Sequence, residues 1–242
     1  YYLTGQQEEI KNKIINGIDN REHKIWGIQG SAGTGKTLLL YDIARTLGQM
    51  MRVCVIHSGI LSQGHIELNS ILREVDIIPV KECNENLIRQ YDCILIDESQ
   101  RLYQVDFDCI VKAFQDLNIH CIFGYDYYQV LSYAEENRNI PEQLNRLSFF
   151  CENKLSEKIR TNKEVASFIK NVINLAHRPK RYMDYSNIEV LYAFDYTVAK
   201  NIIEHYVTNK EYKFISYTPS RIKSNDIDKL SNYTNTHHII GQ

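Results

Sequence analysis

Short apolar runs rich in Ile, Val, Cys and Phe alternate along the chain with longer stretches whose apolar residues recur every third or fourth position. The first pattern suits strands covered on both faces, and the second suits the helices that cover them. The runs predict strands at Lys24–Gln29, Arg52–His57, Cys93–Asp97, His120–Gly124 and Ser148–Glu152. The helical period predicts helices at Gly35–Leu47, Ile66–Glu74, Gln104–Leu117 and Pro141–Leu147. Strand and helix in alternation imply an α/β fold with a parallel sheet, and residues 1–152 read as one such domain. Residues 153–242 continue the alternation with a helix at Lys163–Leu175, a strand at Ile188–Ala193, a helix at Tyr196–Val207, a strand at Lys213–Tyr217 and a final run at His237–Ile240. That second block is short for a complete α/β domain, so it is expected to be part of one.

Composition narrows the class. With 242 residues, 43% hydrophobic and 24% charged, the chain can build a sizeable core, which excludes disorder. Its longest apolar runs, such as Cys93–Ile96 and Val53–Ile56, fall far short of the roughly 20 residues of a membrane span. A net charge of -2 gives no overall attraction for a polyanion, so any nucleic-acid binding must rest on local patches. The clearest basic run, His177-Arg178-Pro179-Lys180-Arg181, reads either as a solvated loop or as a linker or phosphate contact. Six scattered cysteines without a CxxC pair suit reduced core residues, and no charged-then-apolar leader is seen; a cytoplasmic protein is expected.

Gly30-Ser31-Ala32-Gly33-Thr34-Gly35-Lys36-Thr37 matches GxxxxGK[ST] at every fixed position, directly after a predicted strand and before a predicted helix. Glycines there let the backbone wrap a phosphate, N–H groups point inward, and the helix start adds its positive end. Lys36 reaches the β- and γ-phosphates, and the Thr37 hydroxyl suits Mg²⁺. Downstream, the apolar run Cys93–Ile96 ends in Asp97-Glu98, placing two carboxylates at the ligand-binding edge of a parallel sheet. There Asp97 suits the metal and its water shell, and Glu98 suits polarising the attacking water.

These residues resemble a known group. Gly30 to Thr37 resembles motif I of superfamily 1 helicases, and Asp97-Glu98-Ser99-Gln100-Arg101 resembles their motif II. Leu3-Thr4-Gly5-Gln6-Gln7 is similar to the N-terminal glutamine motif, Asp126-Tyr127-Tyr128-Gln129 to motif III, Leu155 to Asn162 to motif IV, and His238-Ile239-Ile240-Gly241-Gln242 to the opening of motif V. Within that superfamily the chain most resembles bacterial and phage P-loop ATPases related to the helicase-like domain of the longer schlafen proteins. In two places the pattern departs: Tyr125 separates Gly124 from Asp126, and the motif V acid and motif VI arginine of the family would lie beyond Gln242.

The resemblance implies a RecA-like P-loop NTPase followed by part of a second RecA-like domain, with ATP and Mg²⁺ as ligands. It implies that Gln7 reads adenine, that Gln129 senses the γ-phosphate, and that Arg160 acts as an arginine finger. His57-Ser58-Gly59 and Ser62-Gln63-Gly64-His65 lie where relatives touch a nucleic-acid backbone, and equally suit an ordinary loop. Tyr125, Tyr127 and Tyr128 offer stacking faces for single-stranded nucleic acid, or pack within their own domain. Three activities share such a site: a DNA or RNA motor, an ATP-gated switch for an effector such as a nuclease, and an ATPase acting on protein partners.

Overall fold

Thr4 starts the chain's first helix, α1 (Gly5–Asp19), through a capping box: the Thr4 hydroxyl accepts from the Gln7 N–H, and the Gln7 side chain accepts from the Thr4 N–H. Ile10, Ile14 and Ile18 recur on one face of α1 and are buried, so its amphipathic pattern is satisfied by packing. The structure, a computed structural model, describes residues 3–22, 24–59, 61–117, 119–130, 132–156, 163–173, 184–209, 212, 214–216 and 234–235. It divides into two units, one within residues 1–159 and the other within 160–240.

In the first unit α1 leads to β1 (Ile25–Gly30), α2 (Lys36–Gly48), β2 (Val53–His57), α3 (Gln63–Ile71), β3 (Val75–Pro79), α4 (Glu85–Ile88) and β4 (Cys93–Asp97). A 3₁₀ turn at Ser99–Arg101 follows, then α5 (Gln104–Leu117), β5 (His120–Tyr125), α6 (Tyr133–Arg138), α7 (Ile140–Asn145) and β6 (Phe150–Leu155). The six strands form one sheet in the order β3-β2-β4-β5-β1-β6, and every pairing is parallel. Successive strand residues serve opposite faces: Val53 and Val55 pack with Leu39, Ile43 and Leu47 of α2, while Cys54 and Ile56 pack in the core that holds Phe107, Ile110 and Phe114 of α5. A sheet covered on both sides has apolar strands throughout, which is why they were visible as runs.

Gly124 in β5 brings α2 close to the sheet, since a Cβ there would stand 2.4 Å from Leu40 Cδ1. β5 lies between the strand that ends in the glycine-rich loop and the strand that ends in the acids. The loop after β5 therefore leaves the sheet between these two groups.

β3 is not among the strands expected from the apolar runs. Its alternation, with Asp76 exposed between buried Val75 and Ile77, and its terminal Pro79 suit an edge strand, which needs only one hydrogen-bonded neighbour. The last strand of the unit runs over Phe150–Leu155 rather than Ser148–Glu152, because register with β1 is what defines it. In the second unit, described by itself, are α8 (Lys163–Ile173), α9 (Tyr196–Asn209) and a parallel pair, β7 (Ile215–Ser216) with β8 (Thr234–Asn235). The predicted strand at Ile188–Ala193 does not form: the segment pairs with no strand among the described residues, and Val190, Leu191 and Tyr192 are exposed. Apolar residues alone do not make a strand without a neighbour's backbone to bond. Arg160, the basic run from His177 and the run at His237–Ile240 lie outside the described residues.

Candidate nucleotide site

All six strands point the same way, and the loops leaving their C-terminal edge carry the residues assigned to phosphate and metal. Between β1 and α2, Gly33 and Gly35 take φ values of 84° and 76°, a conformation L side chains resist. The loop holds its own curl: the Thr34 hydroxyl donates to the Ser31 carbonyl at 2.8 Å, and the Thr34 N–H donates to the same oxygen at 3.2 Å. Gln7, only 2% exposed, braces it from α1, with Nε2 donating to the Thr34 carbonyl at 3.1 Å. Its neighbour Gln6 turns to the end of β6, donating from Nε2 to the Lys154 carbonyl at 3.1 Å and accepting from the Ser156 N–H at 3.0 Å.

The start of α2 faces the acid strand. Lys36 Nζ lies 2.9 Å from Glu98 Oε1, both side chains buried, and the Thr37 hydroxyl donates to Asp97 Oδ2 at 2.9 Å. Glu98 sits in the left-handed region at φ 53°, ψ 39°, a strained conformation for a non-glycine residue that turns its side chain back toward α2. Two residues on, Gln100 takes hold of it: Nε2 donates to Glu98 Oε2 at 2.7 Å, and Oε1 accepts the Asp126 N–H at 3.2 Å. Asp126 is buried and accepts the Tyr128 N–H on Oδ1 at 2.9 Å.

Three carboxylates around one ammonium set the local electrostatics. Burial works against the charged form of Lys36, but Glu98, Asp97 and Asp126 outweigh it and hold Lys36 above its ordinary pKa. Burial likewise opposes ionisation of Glu98, yet Lys36 and the Gln100 amide win and keep Glu98 below the usual carboxylate range. Asp97 is lifted to about 6 by burial, with the Glu98 charge adding and Lys36 opposing. Excess negative charge at the mouth of a phosphate loop is a setting that a divalent cation completes. The Thr37 hydroxyl and Asp97 carboxylate are hard oxygen donors of the kind Mg²⁺ takes, so the residues fit that ion.

The structure thus brings together Gly30 to Thr37, Asp97, Glu98 and, through Thr34, Gln7. Gln129 stands at the same edge, its carbonyl accepting from Gln100 Nε2 at 3.4 Å. The inserted Tyr125 does not displace Asp126: Tyr125 completes β5 and faces inward, its hydroxyl donating to Glu152 at 2.7 Å, so it is no stacking face. Tyr127 is half-buried with its hydroxyl bonded to Asn145, whereas Tyr128 is 83% exposed. His57 and His65 are buried ring to ring, with centroids 4.4 Å apart, and so are withdrawn from any phosphate. Sequence reading did not single out Gln100. It was visible in motif II, but its bond to Asp126 depends on a residue that arrives from another strand.

The profile of one protein family, described as Schlafen group 3, DNA/RNA helicase domain, matches residues 23–234. Among solved structures, a crystal structure of Bacteroides Pif1 bound to ssDNA is similar with a TM-score of 0.55 and 15% identity, covering 95% of this chain and 55% of that one. A structure of two coordinating Pif1 helicases at forked dsDNA is similar with a TM-score of 0.54 and 16% identity, covering 95% of this chain and 57% of that one. The chain therefore spans a little over half the length of either relative. At such identities the likeness is one of fold, that of RecA-like helicase domains. No curated protein matches the chain.

Proposed function

The chain belongs to the Schlafen group 3 DNA/RNA helicase domain family, and from that premise we propose that it is a Mg²⁺-dependent ATPase of superfamily 1 type, coupling hydrolysis to movement on, or remodelling of, DNA or RNA. The observation that carries this reading is the meeting of Lys36, Thr37, Asp97, Glu98 and Asp126 around one phosphate loop, at the edge where a parallel sheet binds ligands.

The inward N–H groups of the Gly30 to Gly35 loop and the start of α2 bind the phosphates of ATP. The resemblance assigns Gln7 to adenine, a contact for which its amide would have to exchange the bonds it makes with the Thr4 N–H and the Thr34 carbonyl. Lys36 exchanges Glu98 for the β- and γ-phosphates. That exchange replaces one buried ion pair by another, so the ammonium never stands unpaired, and it releases Glu98 Oε1. Glu98 then accepts a hydrogen bond from the attacking water and draws off its proton as the water oxygen bonds to the γ-phosphorus and the bond from that phosphorus to the β–γ bridging oxygen breaks, leaving inorganic phosphate and ADP. Thr37 and Asp97 would hold Mg²⁺, which would supply charge neutralisation at the phosphates. Gln129 is assigned to sensing the γ-phosphate, and Arg160 to stabilising charge on the transferred group.

For nucleic acid the support is local, in keeping with a net charge of -2. Tyr128 offers an exposed ring directly beside the site, and its N–H is held by Asp126, whose own N–H bonds to Gln100. A base stacked on Tyr128 would press on the loop that bonds Gln100, the partner of Glu98. The Bacteroides Pif1 structure, which contains ssDNA, supports a single strand as ligand.

The test is ATP hydrolysis with and without single-stranded DNA or RNA, in the unmodified chain and in Glu98→Gln. Hydrolysis that rises with a single strand and is lost in Glu98→Gln, with ATP still bound, is the expected result. Turnover by Glu98→Gln at the unmodified rate would overturn the site. Hydrolysis indifferent to nucleic acid would overturn the motor and return the ATP-gated effector switch.

A further inference from the structure

Both oxygens of Glu98 are occupied, Oε1 by Lys36 at 2.9 Å and Oε2 by Gln100 at 2.7 Å. When Lys36 turns to phosphate, the first of these is lost. Among the hydrogen bonds to the Glu98 side chain, the one from Gln100 is then what keeps it aimed. The need is physical: Glu98 hangs from a strained left-handed backbone, and a carboxylate with one free oxygen rotates about its terminal torsion.

Gln100 is itself well held. It is buried at 1% exposure in the 3₁₀ turn, and its Oε1 is fixed by the Asp126 N–H from the loop after β5. That bond also fixes which end of the amide is which: the oxygen must face the N–H and the nitrogen must face the carboxylate. Two elements that are not sequence neighbours thus orient one amide, and the amide orients one carboxylate oxygen.

We infer that Gln100 is a positioning residue for hydrolysis, holding Glu98 on the attacking water once Lys36 has left it for the nucleotide. The inference rests on the ATPase reading above and adds to it a residue that touches neither ATP nor metal. Its signature is a loss of kcat without a loss of nucleotide affinity, because the phosphate loop and Lys36 are untouched.

The experiment measures single-turnover hydrolysis of ATP and equilibrium binding of a fluorescent ATP analogue in the full chain. Four variants are compared: Gln100→Ala, Gln100→Met, Glu98→Gln, and Glu98→Gln combined with Gln100→Ala. Gln100→Met guards against misfolding, since it keeps the volume and adds no charge to a site that already holds three carboxylates, but removes the donor to Glu98. Both Gln100 variants are expected to hydrolyse at least about tenfold more slowly, with affinity within about threefold of the unmodified chain. In the Glu98→Gln background, Gln100→Ala should bring no further loss, because the group it positions is already disabled.

An unchanged rate in Gln100→Met overturns the inference, as does a fall in affinity matching the fall in rate, or a further tenfold loss in the double variant. Unimpaired hydrolysis by Glu98→Gln is a different result. It overturns the ATPase reading itself, whatever Gln100 does.

Discussion

His57 should make the first unit acid-sensitive, and the size of the effect follows from its surroundings. The ring ends β2 with 1% exposure, its Nδ1 has no hydrogen-bond partner among the described residues, and His65 lies against it. Burial, then the neighbouring His65, with smaller help from Arg101 and Lys36 and against the pull of Glu98, pushes its pKa down from 6.5 to about 4. In the unfolded chain the imidazole takes a proton near its ordinary value, so between about pH 6.5 and about pH 4 the unfolded state binds more protons. Stability from this group is therefore complete above that window and drains away as pH falls through it. At about 1.4 kcal/mol per pH unit the total is about 3 kcal/mol, of which about 2.5 kcal/mol is lost between pH 7.5 and pH 4.5.

Other groups titrate in the same range. His65 is also lowered by burial and acts in the same direction, whereas Asp97, raised to about 6, acts in the opposite one. A His57→Asn variant isolates the term, because constant packing losses cancel when only the pH dependence is compared. Trp26, the chain's single tryptophan and buried in β1, reports unfolding of this unit in urea through its fluorescence. The unmodified chain should lose about 2.5 kcal/mol more than His57→Asn between these two pH values. Parallel pH profiles for the two proteins would show that His57 is not held neutral by the fold.

Lys36→Ala should abolish hydrolysis and weaken ATP binding while the Trp26 signal stays native, since Lys36 pairs with Glu98 and supports no core packing; full activity would refute its role. Gly17→Ala sets two effects against each other: alanine favours a helix by about 1 kcal/mol, but its Cβ would stand 2.3 Å from the Trp26 ring. Overpacking of about 1–3 kcal/mol should win, with a net destabilisation and a shifted Trp26 emission; a stabilised protein would show that the ring yields freely. Arg160→Ala should leave ATP affinity within roughly tenfold and slow hydrolysis by about 10³ or more. Normal turnover in that variant would refute the arginine-finger role.

The sequence by itself determined the parallel sheet and the glycine-rich loop that is the candidate phosphate site. Strands buried on both faces must be apolar along their whole length, so β1, β2, β4 and β5 showed as runs, and a glycine-rich loop between strand and helix leaves few chemistries open. The family, too, was legible, because motifs I and II are contiguous stretches of chain. β3 was hidden because an edge strand needs only a partner on one side, and a stranded partner, not composition, makes it a strand. The same reason works in reverse at Ile188–Ala193, where apolar residues find no backbone to pair with among the described residues. Which tyrosine faces outward, that His57 and His65 are buried together, and that Gln100 joins Glu98 to Asp126 were all decided by tertiary structure. Side-chain orientation at a strand's end depends on the register of its neighbours. The pairing of Gln100 with Asp126 depends on β5 lying beside β4, which no stretch of sequence records.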